Sequence, residues 1–134
     1  MATKIESQKV TVNASIETVY AFLLDFNNIE QLLPKDKISE WKSDFDQCSF
    51  KVQNAALIPL IKSSVKEGEN IHIISGDKAP FKFTLDINFT KVNEQTETVL
   101  EFNGEINAFL KMMVVKPLTN LFDYMANRIQ QLHK

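Results

Sequence analysis

The segment Phe81–Thr90 constrains the fold most. Phe81, Phe83, Leu85, Ile87 and Phe89 alternate without exception with Lys82, Thr84, Asp86, Asn88 and Thr90. Successive residues of an extended chain point to opposite sides, so this is a strand with one buried and one wet face. A turn at Asn93-Glu94-Gln95 follows. The next strand repeats the division, with Leu100, Phe102 and Ile106 against Glu101, Asn103 and Glu105. Gly104 marks a bend or bulge there. One-sided strands joined by a short turn belong to an antiparallel sheet that needs a cover on its apolar face.

The cover is the C-terminal segment. From a cap at Asn107, the residues Leu110, Val114, Leu118, Leu121, Phe122, Met125, Ile129 and Leu132 share one arc at 100° per residue. Pro117 lies inside this stretch and removes a helical N–H, which predicts either a kink or a break into a short and a long helix. Strand Phe81–Val92 would reach roughly 40 Å and helix Asn107–Leu132 about 39 Å, so the two match in length.

Upstream, Val10 and Val12 suit a half-buried first strand, with Ile5 on the opposite parity and in need of a bulge to point inward. Ser15 can cap a helix carrying Ile16, Val19, Tyr20, Leu23 and Phe26, with Glu17 in its first turn. Asn27 or Asn28 can cap a second short helix with Ile29, Leu32 and Leu33, stopped by Pro34. Strands then follow at Ile38–Ser43, around Cys48, Phe50 and Val52, from Ile61 to Gly68, and at Ile71–Ser75. Pro59 argues that the run Ala55–Ile61 is an edge, bulge or loop and not a central strand. The predicted class is α+β, a curved antiparallel sheet of six or seven strands around a long C-terminal helix, with two short helices after strand 1. Six or seven strands about 4.8 Å apart span roughly 30 Å, more than one helix covers, so curling leaves room for an apolar cavity between sheet and helix. The competing reading is that ten phenylalanines and four methionines fill the space.

Composition narrows the function. A chain of 134 residues with 44% apolar residues forms a core without staples, and residues 1–134 read as a single domain. A formal charge of −2 gives no field to attract nucleic acid. One cysteine and two distant histidines give neither a disulfide nor a zinc spacing, so no metal or cofactor is expected. The first residues lack the apolar core of a signal peptide and no apolar run is long enough to span a bilayer. A soluble cytoplasmic protein without integral membrane association is expected.

The stretch Val10-Thr11-Val12-Asn13-Ala14-Ser15-Ile16-Glu17-Thr18-Val19-Tyr20-Ala21-Phe22-Leu23-Leu24-Asp25, followed by Asn27-Asn28 and Leu33-Pro34, resembles the START/Bet v 1-like helix-grip superfamily, also called the SRPBCC or polyketide cyclase-like group. In that group a first strand runs into an Ala-Ser cap, a Val-aromatic pair and an Asp before the second helix. The order of elements agrees over nearly the whole chain. Ile16 stands where many relatives place proline, and the stretch around Gly76 lacks the glycine-rich loop of the plant pathogenesis-related branch, so phosphate binding and ribonuclease activity do not carry over. The resemblance implies a cavity for a lipid, isoprenoid, polyketide or other small apolar molecule, with catalysis in only some branches.

Parity points Phe50, Phe83, Leu85, Phe102, Leu121, Phe122 and Met125 into the concavity as candidate lining, ordinary core being the alternative for each. Met113, with Met112 and Phe109, sits where the last strand hands over to the helix, where a flexible thioether could adapt to an entering ligand, plain gap filling being the favoured alternative. Tyr124 and Arg128, one helical turn apart at the edge of the apolar arc, are the candidate polar anchor for a carboxylate or carbonyl, against an arginine that keeps its head in water. No catalytic set emerges. His72 falls on the solvent side with no assignable carboxylate, and Cys48 shares the inward parity of an inert thiol. Binding of a small apolar ligand without chemistry is the favoured reading. Two others stay open: a cyclase- or dehydratase-like enzyme working through Tyr124, Arg128 or His72 in the same cavity, and a protein-interaction domain with a filled core.

Overall fold

The computed structural model describes residues 2–53 and 56–133. Its strands are β1 (Thr3–Glu6), β2 (Val10–Val12), β3 (Ile38–Ser43), β4 (Gln47–Val52), β5 (Leu57–Lys66), β6 (Asn70–Ser75), β7 (Phe83–Val92) and β8 (Gln95–Gly104). Helix α1 (Ile16–Leu24), a 3-10 helix (Phe26–Leu32) and the long α2 (Ala108–Leu132) complete it. All strands join one antiparallel sheet in the order β1-β8-β7-β6-β5-β4-β3, with β2 also on β8. β1 pairs with the C-terminal half of β8 and β2 with its N-terminal half, so eight strands make a sheet seven positions wide. The curved sheet grips α2, an α+β helix-grip architecture.

The first edge shows how a parity break is absorbed. Ile5 pairs with Phe102 and Val10 with Thr98, which leaves one more residue on the N-terminal side than on β8. That offset lets both Ile5 and Val10 bury their side chains. The loosened backbone is re-bonded by side chains. Ser7 N–H donates to the Leu100 carbonyl at 2.8 Å while Leu100 N–H donates to Ser7 Oγ at 2.9 Å. Gln8 N–H donates to Asp123 Oδ1 of α2 at 2.9 Å, tying the helix to the edge.

Ser15 caps α1 by accepting Thr18 N–H, and Asn107 caps α2 by accepting Leu110 N–H at 2.9 Å. The 3-10 helix is capped by Asp25, not by Asn27 or Asn28. It starts directly at Phe26, so Asp25 ends α1 and also accepts Asn27 N–H at 3.0 Å.

Three expectations need correction. β5 runs through Pro59 between two neighbours, because in an extended chain a residue's N and C=O face the same way. The Pro59 carbonyl accepts Gly76 N–H, so its missing donor faces the side where β6 has already ended. Gly104 is no bulge, for it stays in register with both Thr3 and Phe83. A Cβ there would meet the Phe102 ring at 2.8 Å, so the position requires close approach. Finally, of the two outcomes expected at Pro117 the break into a short and a long helix does not occur, since α2 runs through it as one helix.

Between sheet and helix lies a continuous core. Phe83, Leu85, Ile87 and Phe89 of β7, Leu100 and Phe102 of β8, and Val114, Leu118, Phe122, Met125 and Ile129 of α2 are all buried in it. At 1.5 to 3 kcal/mol for each fully buried large side chain, roughly, this face supplies most of the grip.

Candidate functional site

The Phe102 ring lies 5.3 Å from both Phe83 and Phe122, centroid to centroid, and Phe81 sits 6.3 Å away edge-on. Pairs at this spacing add about 0.5 to 1.5 kcal/mol beyond their buried area. Phe102 thus has both Phe83 and Phe122 as neighbours. Phe50, Leu85, Leu121 and Met125 are buried as well, with Phe50 stacked on Trp41 at 6.0 Å.

Open space lies to one side of this cluster. A cleft of about 440 Å³ is bounded by Pro117, Leu121 and Tyr124 on α2, Pro34 beyond the 3-10 helix, Asp36 and Lys37 before β3, and Val52 with Gln53 at the end of β4; Lys116 and Asn120 complete it. Local structure fixes each wall. Lys37 N–H donates to the Pro34 carbonyl, and Gln53 N–H to the Lys37 carbonyl, both at 2.9 Å, which locks the turn against the sheet. The apolar wall is Pro34, Val52, Pro117 and Leu121. The other six lining residues supply two ammonium groups, one carboxylate, two amides and a phenol.

Of the ten side chains nominated from sequence, Leu121 and Tyr124 border this cleft. Met113 is half exposed near the start of α2. Arg128 does not join Tyr124 there, since its Nε donates to the Gln31 carbonyl at 3.2 Å and its Nη1 to Gln131 Oε1 at 3.1 Å. It fastens the 3-10 helix to α2. Pro34, Val52 and Lys37 carry no sequence signal of a site because they come from a loop and a strand end whose neighbours only the tertiary fold defines. The signal available was Pro117, a helix-interior proline beside the apolar arc.

His72 stands on the outer face of the sheet, as its parity predicted, and it does have a carboxylate partner. Asp86, directly across on β7, places Oδ1 2.7 Å from His72 Nδ1. Asn70 donates to both Asp86 and Asn88, and Asn88 donates to Glu101, so the contacts continue across three strands on the face opposite the core. Cys48 is buried, and loss of water pushes its thiol up to about 12, with the Asp44 charge adding to the effect. A neutral buried thiol is a poor nucleophile. Among the described residues no group of three His, Cys, Asp or Glu side chains converges as a metal site.

No protein-family model matches the sequence, and no curated protein matches it. Solved structures do match, over nearly the full length. A START superfamily protein from Mycobacterium smegmatis superposes with a TM-score of 0.67 at 16% identity, covering 96% of this chain and 98% of the other. Norcoclaurine synthase from Thalictrum flavum, a point mutant in complex with a transition-state analogue, gives 0.77 at 11% identity over 98% and 94%. KanY gives 0.75 at 12% identity over 98% and 97%. The fold is START/Bet v 1-like. Identities this low establish architecture alone. Within a START/Bet v 1-like frame the cleft lies where the sheet parts from the proline-bearing segment of the gripped helix.

Proposed function

We propose that this START/Bet v 1-like chain binds a small hydrophobic molecule, of lipid, isoprenoid or polyketide type, in the cleft under Pro117 and Leu121. The observation that carries this reading is the cleft itself. Its volume of about 440 Å³ is that of a small-molecule site, and its lining combines the apolar Pro34, Val52, Pro117 and Leu121 with a few polar groups. A ligand that hides about 300 Å² of apolar surface gains roughly 7.5 kcal/mol, near the micromolar range before ordering costs. Lys37, Lys116 and Tyr124 border the cleft, and in this reading their polar groups receive a carboxylate or hydroxyl at the ligand's polar end. The norcoclaurine synthase of similar fold, solved with a transition-state analogue, supports the use of such an architecture for small organic molecules.

The test is native mass spectrometry of the purified protein with extraction of co-purifying compounds, followed by thermal-shift titration with fatty acids, isoprenoid quinones and aromatic polyketides. A stoichiometric adduct or a concentration-dependent rise in melting temperature is expected. Leu121→Trp, which fills the cleft from its floor, should abolish the rise. An unliganded parent that no compound stabilises, or a Leu121→Trp variant that binds as well as the parent, would overturn the proposal.

A further inference from the structure

The outer surface of the first turns of α2 is apolar where a solvent-facing helix would be polar. Phe109, Met112 and Met113 are 73%, 88% and 50% exposed. With Lys116 they follow the i, i+3, i+4, i+7 spacing, so they stand on one face, turned away from the sheet. Farther along, the same face carries Asn120, Asp123, Asn127 and Gln131, with Tyr124, whose ring ends in a hydroxyl, at its edge. The apolar patch is therefore confined to one tip of the molecule.

Charge is sorted toward the same tip. α2 begins just after β8 ends, and in the antiparallel ladder that end also collects the starts of β1, β3, β5 and β7 and the ends of β4 and β6. Lys4, Lys35, Lys37, Lys51, Lys78, Lys82, Lys111 and Lys116 lie there, all exposed, against Asp36, Glu40, Asp77 and Glu105. Eight of the fifteen basic residues and four of the seventeen acidic ones give this end an excess of four positive charges, while the rest of a chain of formal charge −2 has an excess of six negative. From Ala108 to Phe122, α2 contains two lysines and no acid.

Three large apolar side chains on a helix face, at the end of the molecule with an excess of lysines, combine an apolar insert with cationic contacts. We propose that this tip docks peripherally on an anionic lipid bilayer, with Phe109, Met112 and Met113 in the acyl boundary and the lysines at headgroup level. Among the described residues no helix is long and apolar enough to cross a membrane, so the proposed contact is interfacial. A second copy of the chain is the less fitting occupant, because two such tips would oppose their own lysines. The negative remainder of the molecule orients the approach, tip first. This inference rests on the patch and the charge, independently of what the cleft holds.

Vesicle co-sedimentation tests it. The parent should bind phosphatidylglycerol/phosphatidylcholine vesicles, bind phosphatidylcholine alone weakly, and release as salt rises. Replacing Phe109, Met112 and Met113 together by serine should weaken binding about tenfold or more. Lys111→Glu with Lys116→Glu should cost about fivefold or more per position. All five positions are exposed, so each variant should keep the parent's circular dichroism and melting temperature. Leu121→Trp should bind vesicles like the parent, which separates failure here from failure of the ligand proposal. The proposal falls if the parent ignores anionic vesicles, if the serine variant binds them equally, or if binding is the same on neutral vesicles at every salt concentration. It falls too if the parent self-associates through this patch in preference to binding lipid.

Discussion

Cys48 has the properties its alternation with Phe50 and Val52 implied, and burial decides its chemistry. The thiol is pushed up to about 12 in the folded chain from an ordinary value of 9.0. The sign of the linkage follows: the unfolded thiol ionises first as pH rises, so the contribution is intact below about 9 and is lost progressively toward about 12. Denaturant midpoints of the parent should fall across that window relative to Cys48→Ala, whose own burial defect is independent of pH. An aromatic disulfide reagent at neutral pH should leave the parent's thiol unmodified until denaturant is added; prompt reaction with folded protein would refute the buried assignment. Individual site residues were less legible than this thiol. Alternation says which way Phe83, Phe102 and Leu121 point, yet whether a side chain meets a ring or a cleft depends on sheet curvature and rotamers, which carry no period. Arg128 shows the limit, since its partner is a backbone carbonyl from a helix 97 residues away in sequence. Asp86 shows another, because a cross-strand carboxylate can be paired with His72 only once the register is known.

Among the elements, those with a period or a cap could be read directly, namely α1 from Ser15, α2 from Asn107 and β7 from its alternation. Irregular backbone could not. Glu40 adopts φ 54° where β3 slips register against β4, and nothing about a glutamate announces the left-handed conformation. The offset between β1 and β2 was visible as a parity clash, but its repair by Ser7 was not. Ser7→Ala should leave the buried Leu100 N–H without its 2.9 Å acceptor and lower stability by about 1 to 3 kcal/mol in chemical denaturation; no loss would mean the offset is satisfied otherwise. Pro117 gives the opposite case. It denies α2 one interior hydrogen bond, so Pro117→Ala should raise the melting temperature, by up to about 3 kcal/mol in stability terms. The same change replaces a wall of the cleft, and a gain in stability accompanied by weaker ligand binding would assign the proline to the site.

At the scale of the whole molecule, the sheet is firm at one side and loose at the other. β7 pairs along all ten residues with β8 and also with β6, and buries Phe83, Leu85, Ile87 and Phe89 against the helices. β3 is an edge strand bonded to β4 alone, interrupted between Ser39 and Lys42 and largely solvent-facing. Local stability follows such differences in burial and pairing. The loose side is also the cleft side, because Asp36 and Lys37 lead into β3 and Val52 ends β4. On the proposed function, a ligand larger than the resting volume should therefore enter by displacement of the weakly paired β3 side, with no need to lift the gripped helix. Hydrogen exchange should show amides of β3 exchanging far faster than those of Leu85 and Ile87, and a bound ligand should slow exchange around Lys37, Ile38 and Val52 while leaving β7 unchanged. Exchange of β3 as slow as that of β7 would make the sheet one cooperative unit, and access would then have to come from the α2 side at Pro117.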